Sequence, residues 1–141
     1  MTAQVRYGTG SHTADLVFWV QADTLEQLFA SAACGLAELM VAGPRDGELT
    51  WLPLELQGSD HAELLVELLN EVIYLLDGEG LLCVALEPRE LDPTRLQARL
   101  GVIPWDPKRH QIREPVKAAT YHQAQVAPHG QGWRAQVVLD V

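Results

Sequence analysis

His12-Thr13-Ala14-Asp15 leads directly into the apolar run Leu16-Val17-Phe18-Trp19-Val20. Every second residue of this run, beginning with Leu16, lies on one face of a strand, which predicts a strand anchored in a core. Asp15 then lies at the entrance to that strand, directly after a polar loop. Because functional residues concentrate in loops that rigid strands hold, we interpret this segment as a candidate site. The alternative is that Ser11 and Asp15 only satisfy the backbone of a turn.

The closing residues 133–141 show a second alternating pattern. The apolar positions of the predicted strand are Trp133, Ala135, Val137 and Leu139. This alternation leaves Asp140 on the opposite face, next to the terminal carboxylate of Val141. With Asp15, these groups form a candidate site for a hard cation, because Ca2+, Mg2+ and Mn2+ prefer carboxylate and carbonyl oxygens.

The composition limits the kinds of partner. The chain has 141 residues, of which 48% are hydrophobic, and this is enough apolar material for one domain over residues 1–141. It has 19 acidic and 10 basic residues, a formal net charge of -9, and no local cluster of Lys and Arg. Since affinity for nucleic acid comes largely from cations that neutralise phosphates, tight RNA or DNA binding by this chain alone is not expected. A protein, a metal or a small cationic partner fits better.

The two cysteines are Cys34, in a helical pattern, and Cys83, in a strand pattern, without CxxC spacing. This arrangement predicts neither a zinc site nor a disulfide framework, so we expect buried, reduced thiols. The sequence shows no basic segment followed by an apolar run at its start. No stretch approaches the roughly 20 apolar residues that span a bilayer. We therefore expect a cytoplasmic location and no membrane partner.

Two amphipathic helices are predicted. Thr24 and Gln27 form a capping box ahead of the first helix, which Gly43-Pro44 ends, and Asp60 and Glu63 open the second. The second helix has a wide apolar face and, opposite it, an acidic row. The row consists of Glu63, Glu67, Asn70 or Glu71, Tyr74 and Asp77. It is either a solvated face or a docking surface for a basic partner, and both interpretations remain open.

The remaining predicted elements are strands over residues 49–57, 81–86, 96–102, 116–126 and 133–140. Pro53 places the first of these at a sheet edge. Pro88 and Pro93 predict a short loop between the second and third, and Pro128-His129-Gly130 predicts a turn between the last two. The order is strand, helix, strand, helix and four strands. It predicts an α+β fold in which two helices pack on mixed or antiparallel β-sheet structure.

Other kinds of site can be assembled from the same residues. The five histidines, which are His12, His61, His110, His122 and His129, lack the short paired spacing of zinc ligands. A Ser-His-Asp hydrolase built from residues 11, 12 and 15 would lack a GxSxG nucleophile elbow. A metal-dependent hydrolase that uses Asp15, Asp140 and His12, the last as general base, remains an alternative. A plain binding module is another.

Four segments of the chain resemble the archease family. They are His12-Thr13-Ala14-Asp15, Leu68-Leu69-Asn70-Glu71-Val72-Ile73-Tyr74-Leu75-Leu76-Asp77, Val116-Lys117-Ala118-Ala119-Thr120-Tyr121-His122 and Val137-Val138-Leu139-Asp140-Val141. The resemblance runs nearly end to end, in order and at a similar total length. The family often has an acidic residue where this chain has Ser11.

The resemblance implies a non-enzymatic protein that activates a GTP-dependent RNA ligase. That ligase joins 2',3'-cyclic phosphate or 3'-phosphate ends to 5'-hydroxyl ends in tRNA splicing and RNA repair. The activator promotes guanylylation of the ligase and its multiple turnover. A further suggestion for the family is a chaperone-like modulator of a tRNA methyltransferase.

The resemblance also implies site residues. It assigns a bound divalent metal, Ca2+ with Mg2+ or Mn2+ as alternatives, to Asp15, Asp140 and Val141, and an important cation to Lys117. In the matching segments we further expect His12, Glu71 and Asp77 to contact the partner. No catalytic residue is expected in the chain itself.

Overall fold

The computed structural model describes the backbone of residues 2–7 and residues 15–141. In chain order the elements are β1 (Thr2–Tyr7), β2 (Asp15–Ala22), α1 (Leu25–Met40), β3 (Val41–Ala42), β4 (Thr50–Gln57), α2 (His61–Glu79), β5 (Leu81–Asp92), β6 (Arg95–Pro104), β7 (Gln111–Ile112), β8 (Ala118–His129) and β9 (Gly132–Asp140).

The described strands form three sheets, and each pairing within them is antiparallel. The first sheet has the strand order β1-β2-β9-β8, the second sheet has the order β4-β6-β5, and β3 pairs with β7. Both helices contact strands of the two larger sheets, α1 through β2 and β5, and α2 through β8 and β5. The predicted α+β fold with two helices on antiparallel sheet structure is therefore confirmed.

The core side of the first sheet follows the predicted alternation. In β2 every second residue from Leu16 to Ala22 is buried, and in β9 the buried residues are Ala135, Val137 and Leu139. Because side chains alternate along a strand, Asp15 and Asp140 fall on the face that points away from the core.

The helix ends depend on the predicted caps. The Thr24 side-chain oxygen accepts a hydrogen bond from the Gln27 N–H at 3.1 Å, and Asp60 Oδ1 accepts one from the Glu63 N–H at 2.8 Å. The first helix ends at Met40 rather than at Gly43-Pro44, because Val41 is extended and pairs in β3. Neither described helix is long and apolar enough to cross a membrane.

Several strand boundaries differ from the prediction. The loop predicted through Pro88 and Pro93 was wrong at Pro88, because β5 continues to Asp92. Pro88 is tolerated there since β5 lies at the edge of the second sheet and the register shifts beside it, between Pro88 and Glu90. The edge position predicted from Pro53 in β4 is confirmed. Strands β1, β3 and β7 were not predicted.

Strand β8 carries a large bulge. Thr120 pairs with Val138 and Gln125 pairs with Gln136, so the four residues 121–124 lie opposite Val137 alone. Within the bulge Gln123 has a φ of 60°, in the left-handed region that residues other than glycine rarely adopt. Tyr121 in the same bulge is 54% exposed.

Candidate functional site

Two carboxylates meet at one end of the first sheet. Asp15 lies directly opposite Asp140 in the pairing of β2 with β9. Directly opposed residues of an antiparallel pair share a face, with Cβ atoms about 4.5–5.5 Å apart. Two like charges in this arrangement repel each other unless a proton or a cation neutralises them. The donor set therefore fits a divalent cation with oxygen ligands.

The neighbouring strand adds a lysine to this end of the sheet. Ala118 lies opposite Asp140 on β8, and the backbone N–H of Lys117 donates to the Asp140 carbonyl at 2.7 Å. The Lys117 side chain is exposed, and it forms no ion pair with any residue that the structure describes. Its ammonium is therefore available to a partner or a ligand.

A pocket of about 310 Å³ lies beside Lys117. Its walls come from the ends of both helices, from Ile112 in β7, from residues 114–117 and from Val141. Met40, Leu76 and Val116 give it an apolar lining, while Asp77 and Glu114 add two carboxylates and Lys117 adds one ammonium. Val141 thus lines the pocket, whereas the Asp140 side chain lies on the face of the sheet that points away from the core.

The acidic row on α2 is partly engaged by β8. Asn70 makes two hydrogen bonds to the backbone of Ala119, with Oδ1 accepting from the N–H at 2.8 Å and Nδ2 donating to the carbonyl at 3.0 Å. The Tyr121 hydroxyl donates to Glu67. Tyr74 donates to Glu79 at 2.9 Å. The solvated-face interpretation is therefore wrong for Asn70, which attaches the helix to the first sheet, while Glu67 contacts the same sheet through Tyr121 at an exposed position.

The contact between Tyr121 and Glu67 has an electrostatic consequence. The hydrogen bond to Glu67, with smaller contributions from desolvation and from the charge of the same carboxylate, raises the pKa of Tyr121 to about 12. The phenol thus stays neutral well above the ordinary pKa of tyrosine, about 10. At neutral pH the Tyr121 hydroxyl therefore donates a hydrogen bond and does not act as a base.

Comparison with known proteins identifies the family. The model of the Archease protein family matches residues 7–141. The protein archease of Methanopyrus kandleri is 35% identical to the chain over 92% of its length and 95% of the relative. That of Pyrococcus furiosus is 33% identical over 92% of the chain and 94% of the relative. The chain belongs to the archease family.

Solved structures agree with this family assignment at the level of the fold. The solution structure of Methanobacterium thermoautotrophicum protein 1598 has a TM-score of 0.69 and 24% identity, and the match covers 94% of this chain and 96% of that one. The crystal structure of an archease, possible chaperone, from Thermotoga maritima has a TM-score of 0.63 and 20% identity, and covers 96% and 98%.

The archease resemblance predicted site residues, and the structure brings several of them together. Asp15 pairs with Asp140, while Asp77, Lys117 and Val141 line one pocket. Glu71 lies outside this pocket, six residues before Asp77 and so roughly 9 Å away along the helix axis.

Two further expectations from the sequence concern His12 and the metal site. His12, and with it the general base of the alternative hydrolase, lies outside the described residues. Among residues 15–141, no three side chains of His, Cys, Asp or Glu form a cluster that could hold a metal ion. The cation hypothesis therefore depends on the Asp15 and Asp140 carboxylates together with main-chain oxygens.

Sequence reasoning missed the apolar part of this archease site. Ile112 is 53% exposed and lies in a strand of two residues that has no periodic signal. Tyr121 was noted only as part of a matching segment, and its bond to Glu67 depends on the bulge in β8. The signal for a protein-binding surface is that Tyr121 and Ile112 are both more than half exposed, because exposed aromatic and aliphatic side chains are typical of such surfaces.

Proposed function

We propose that this archease-family protein activates an RNA ligase that joins 3'-phosphate or 2',3'-cyclic phosphate ends to 5'-hydroxyl ends. In this proposal it promotes the GTP-dependent guanylylation of the ligase and its repeated turnover. The observation that carries the proposal is Lys117, an exposed cation without an ion pair among the described residues. Its backbone bond to Asp140 holds it beside the Asp15–Asp140 pair.

A role without catalysis of its own is supported by the chemistry of the pocket. The described lining residues include no Ser, Thr, Cys or His, so the pocket has neither a hydroxyl or thiol nucleophile nor an imidazole base. The pocket offers an apolar lining with the carboxylates of Asp77 and Glu114 and the ammonium of Lys117. Such a surface is suited to contact a partner protein and to position a cation near the partner's reacting groups.

The Asp15 and Asp140 carboxylates, with main-chain oxygens at Val141, would hold the divalent cation, for which Ca2+ is our first choice. When bound, the cation supplies positive charge that removes the repulsion between the two carboxylates. The chain itself positions the charged groups, because β2 and β9 hold the two carboxylates and the backbone bond to Asp140 holds Lys117.

Docking on the ligase is assigned to the side of α2 that carries Glu71 and Asp77, together with the pocket. The net charge of -9 favours association with a basic surface and disfavours direct competition for RNA. Tyr74 on α2, at 54% exposure, and Ile112 in the pocket wall, at 53% exposure, supply apolar contact area.

The test is a guanylylation assay with purified ligase, GTP and Mn2+, with and without this protein. We expect covalent guanylylation to become faster, and one ligase molecule to seal several RNA substrates. An unchanged guanylylation rate would contradict the proposal. A chaperone-like action, the property named for the Thermotoga maritima protein, would instead increase the amount of active ligase without changing its rate per active molecule.

A further inference from the structure

The two cysteines of the chain lie next to each other across the interface between α1 and β5. Cys34 Sγ donates to the Val84 carbonyl at 3.2 Å, and Cys83 Sγ donates to the Ala85 carbonyl at 3.8 Å. These carbonyls belong to consecutive residues at a bulge, where the register of β5 with β6 shifts between Cys83 and Ala85. Because Val84 directly follows Cys83 in β5, the bond from Cys34 to the Val84 carbonyl places the Cys34 sulfur beside Cys83. Both sulfur atoms are therefore close together in the folded protein.

The two thiols differ in access and acidity. Cys34 is half-buried, whereas Cys83 is 1% exposed. The hydrogen bond from Cys83 lowers the pKa of Cys34, and this effect outweighs the opposite effect of burial. The same hydrogen bond and burial raise the pKa of Cys83. Cys34 is thus the accessible thiol with the greater thiolate character, and Cys83 is a protonated neighbour.

We propose that Cys34 and Cys83 are a redox pair that peroxide-class oxidants convert into a disulfide between α1 and β5. The Cys34 thiolate attacks one oxygen of hydrogen peroxide, the O–O bond breaks, and hydroxide leaves as Cys34 becomes a sulfenic acid. The Cys83 sulfur then attacks the Cys34 sulfur, and the sulfenic oxygen leaves as water with the Cys83 proton. Two thiols lose two electrons in total, and one peroxide is reduced to two waters.

Formation of the sulfenic acid at Cys34 favours the attack by Cys83. The negative charge of Cys34 is one of the causes that raise the pKa of Cys83, and this charge disappears when the sulfenic acid forms. The disulfide would tie the first helix to the second sheet, where α1 already packs on β5 and the Cys34 thiol bonds to the Val84 carbonyl. This inference does not depend on the proposed function, because it concerns a modification of the chain itself.

The test uses the full-length protein without substitutions. The reduced protein is treated with hydrogen peroxide, denatured, alkylated with iodoacetamide and analysed by intact mass and by non-reduced tryptic mapping. Trypsin separates the cysteines because Arg45 is the single Lys or Arg between them, so a disulfide joins the peptides 7–45 and 46–89. We expect both thiols to escape alkylation, the mass to fall by about 2 Da, and dithiothreitol to reverse the change.

Two variants separate the roles of the thiols. In Cys83→Ala, Cys34 is expected to stop at the sulfenic acid, which dimedone traps, and in Cys34→Ala the Cys83 thiol is expected to remain alkylatable after denaturation. Three results on the unsubstituted protein would overturn the inference. They are over-oxidation of Cys34 without a cross-link, a disulfide between two chains, and retention of both thiols throughout a peroxide series. Since the unsubstituted protein decides the matter, failure of a variant to fold leaves the test intact.

Discussion

At the scale of single residues, Lys117 is held by its main chain and not by its side chain. Its N–H donates to the Asp140 carbonyl at 2.7 Å, while its exposed side chain forms no ion pair among the described residues. A lysine that only covered apolar surface with its methylenes could be replaced by methionine without loss. The proposed function instead requires the positive charge.

We therefore predict that Lys117→Met folds normally and loses the ability to accelerate guanylylation, by tenfold or more at roughly 1.4 kcal/mol per factor of ten. The matched control is Lys108→Met, because Lys108 is the only other lysine and is also exposed. Guanylylation rates of the ligase with each variant give the answer. Equal activity of Lys117→Met and the parent would remove this residue from the site.

Tyr121 permits a prediction about pH. Its pKa is raised to about 12, chiefly by the hydrogen bond to Glu67, so folding favours the neutral phenol. The stability from this bond is fully present below the unfolded pKa of about 10 and is lost as pH rises through the folded value. In a titration by ultraviolet absorbance, Glu67→Gln is expected to move one tyrosine transition from about pH 12 toward pH 10.

The control for this titration is Tyr121→Phe, which removes the late transition and so assigns it. If the late transition survives in Tyr121→Phe, it belongs to another tyrosine. In that case the bond between Tyr121 and Glu67 does not govern the titration.

At the scale of elements, the ends of β2 and β9 bring the Asp15–Asp140 pair together. A cation that binds only the folded protein stabilises it by mass action, by about 2.7 kcal/mol at a hundredfold excess over its dissociation constant. We predict that Ca2+ raises the melting temperature of the parent, and that Asp15→Asn and Asp140→Asn each abolish this shift.

Asp23→Asn is the matched control for the cation experiment. Asp23 follows the opposite end of β2, is exposed, and should leave the Ca2+ response unchanged. Calorimetric titration with Ca2+, Mg2+ and Mn2+ measures binding directly. Undiminished binding by the double variant of Asp15 and Asp140 would rule out this site.

The contact of α2 with β8 gives a prediction about stability. Asn70→Ala leaves the N–H and carbonyl of Ala119 without their side-chain partner, which costs about 1–3 kcal/mol when such groups stay away from water. Glu71→Ala, one residue away, should change the free energy of unfolding by about 0.5 kcal/mol or less. Urea denaturation compares the two variants, and equal effects would show that Asn70 contributes no special attachment.

The elements that could be predicted from the sequence carry their information locally. Short stretches of sequence are enough to recognise the caps at Thr24 and Asp60 and the alternation around Phe18. By contrast, β3 and β7 have two residues each and exist only because they pair with each other. Pro88 predicts a loop from the sequence alone. Only the strand order shows that it lies on an edge strand, where proline is tolerated.

One part of the candidate site could be predicted from the sequence and another part could not. Asp15 and Asp140 could be expected together because each is a polar residue at the end of an apolar strand. The pocket could not be predicted, because its walls come from separate parts of the chain that only the fold brings together. The burial of His110 could not be predicted either. This polar residue is 2% exposed, and its Nε2 is hydrogen-bonded to the Pro44 carbonyl at 2.8 Å.

At the scale of the whole molecule, the net charge of -9 distinguishes a protein that binds RNA itself from one that acts through the ligase. A protein that bound RNA itself would need cations to neutralise phosphates, and this chain has nine more acidic than basic residues. We predict no saturable binding of a labelled RNA with a 3'-phosphate below about 100 µM at physiological salt. Fluorescence anisotropy measures this, with the purified ligase as positive control. Tight binding in the absence of ligase would contradict an action through the ligase.

The bulge in β8 also bears on how the protein behaves at high concentration. β8 is an edge of the first sheet, and an edge with regular hydrogen-bonding groups can recruit a strand from another molecule. Four residues opposite one, with Gln123 in a left-handed conformation, interrupt that regularity in the middle of the strand. An incoming strand could pair with only a few residues before losing register. The irregularity that presents Tyr121 to α2 therefore also protects this edge against aggregation through β-strand addition.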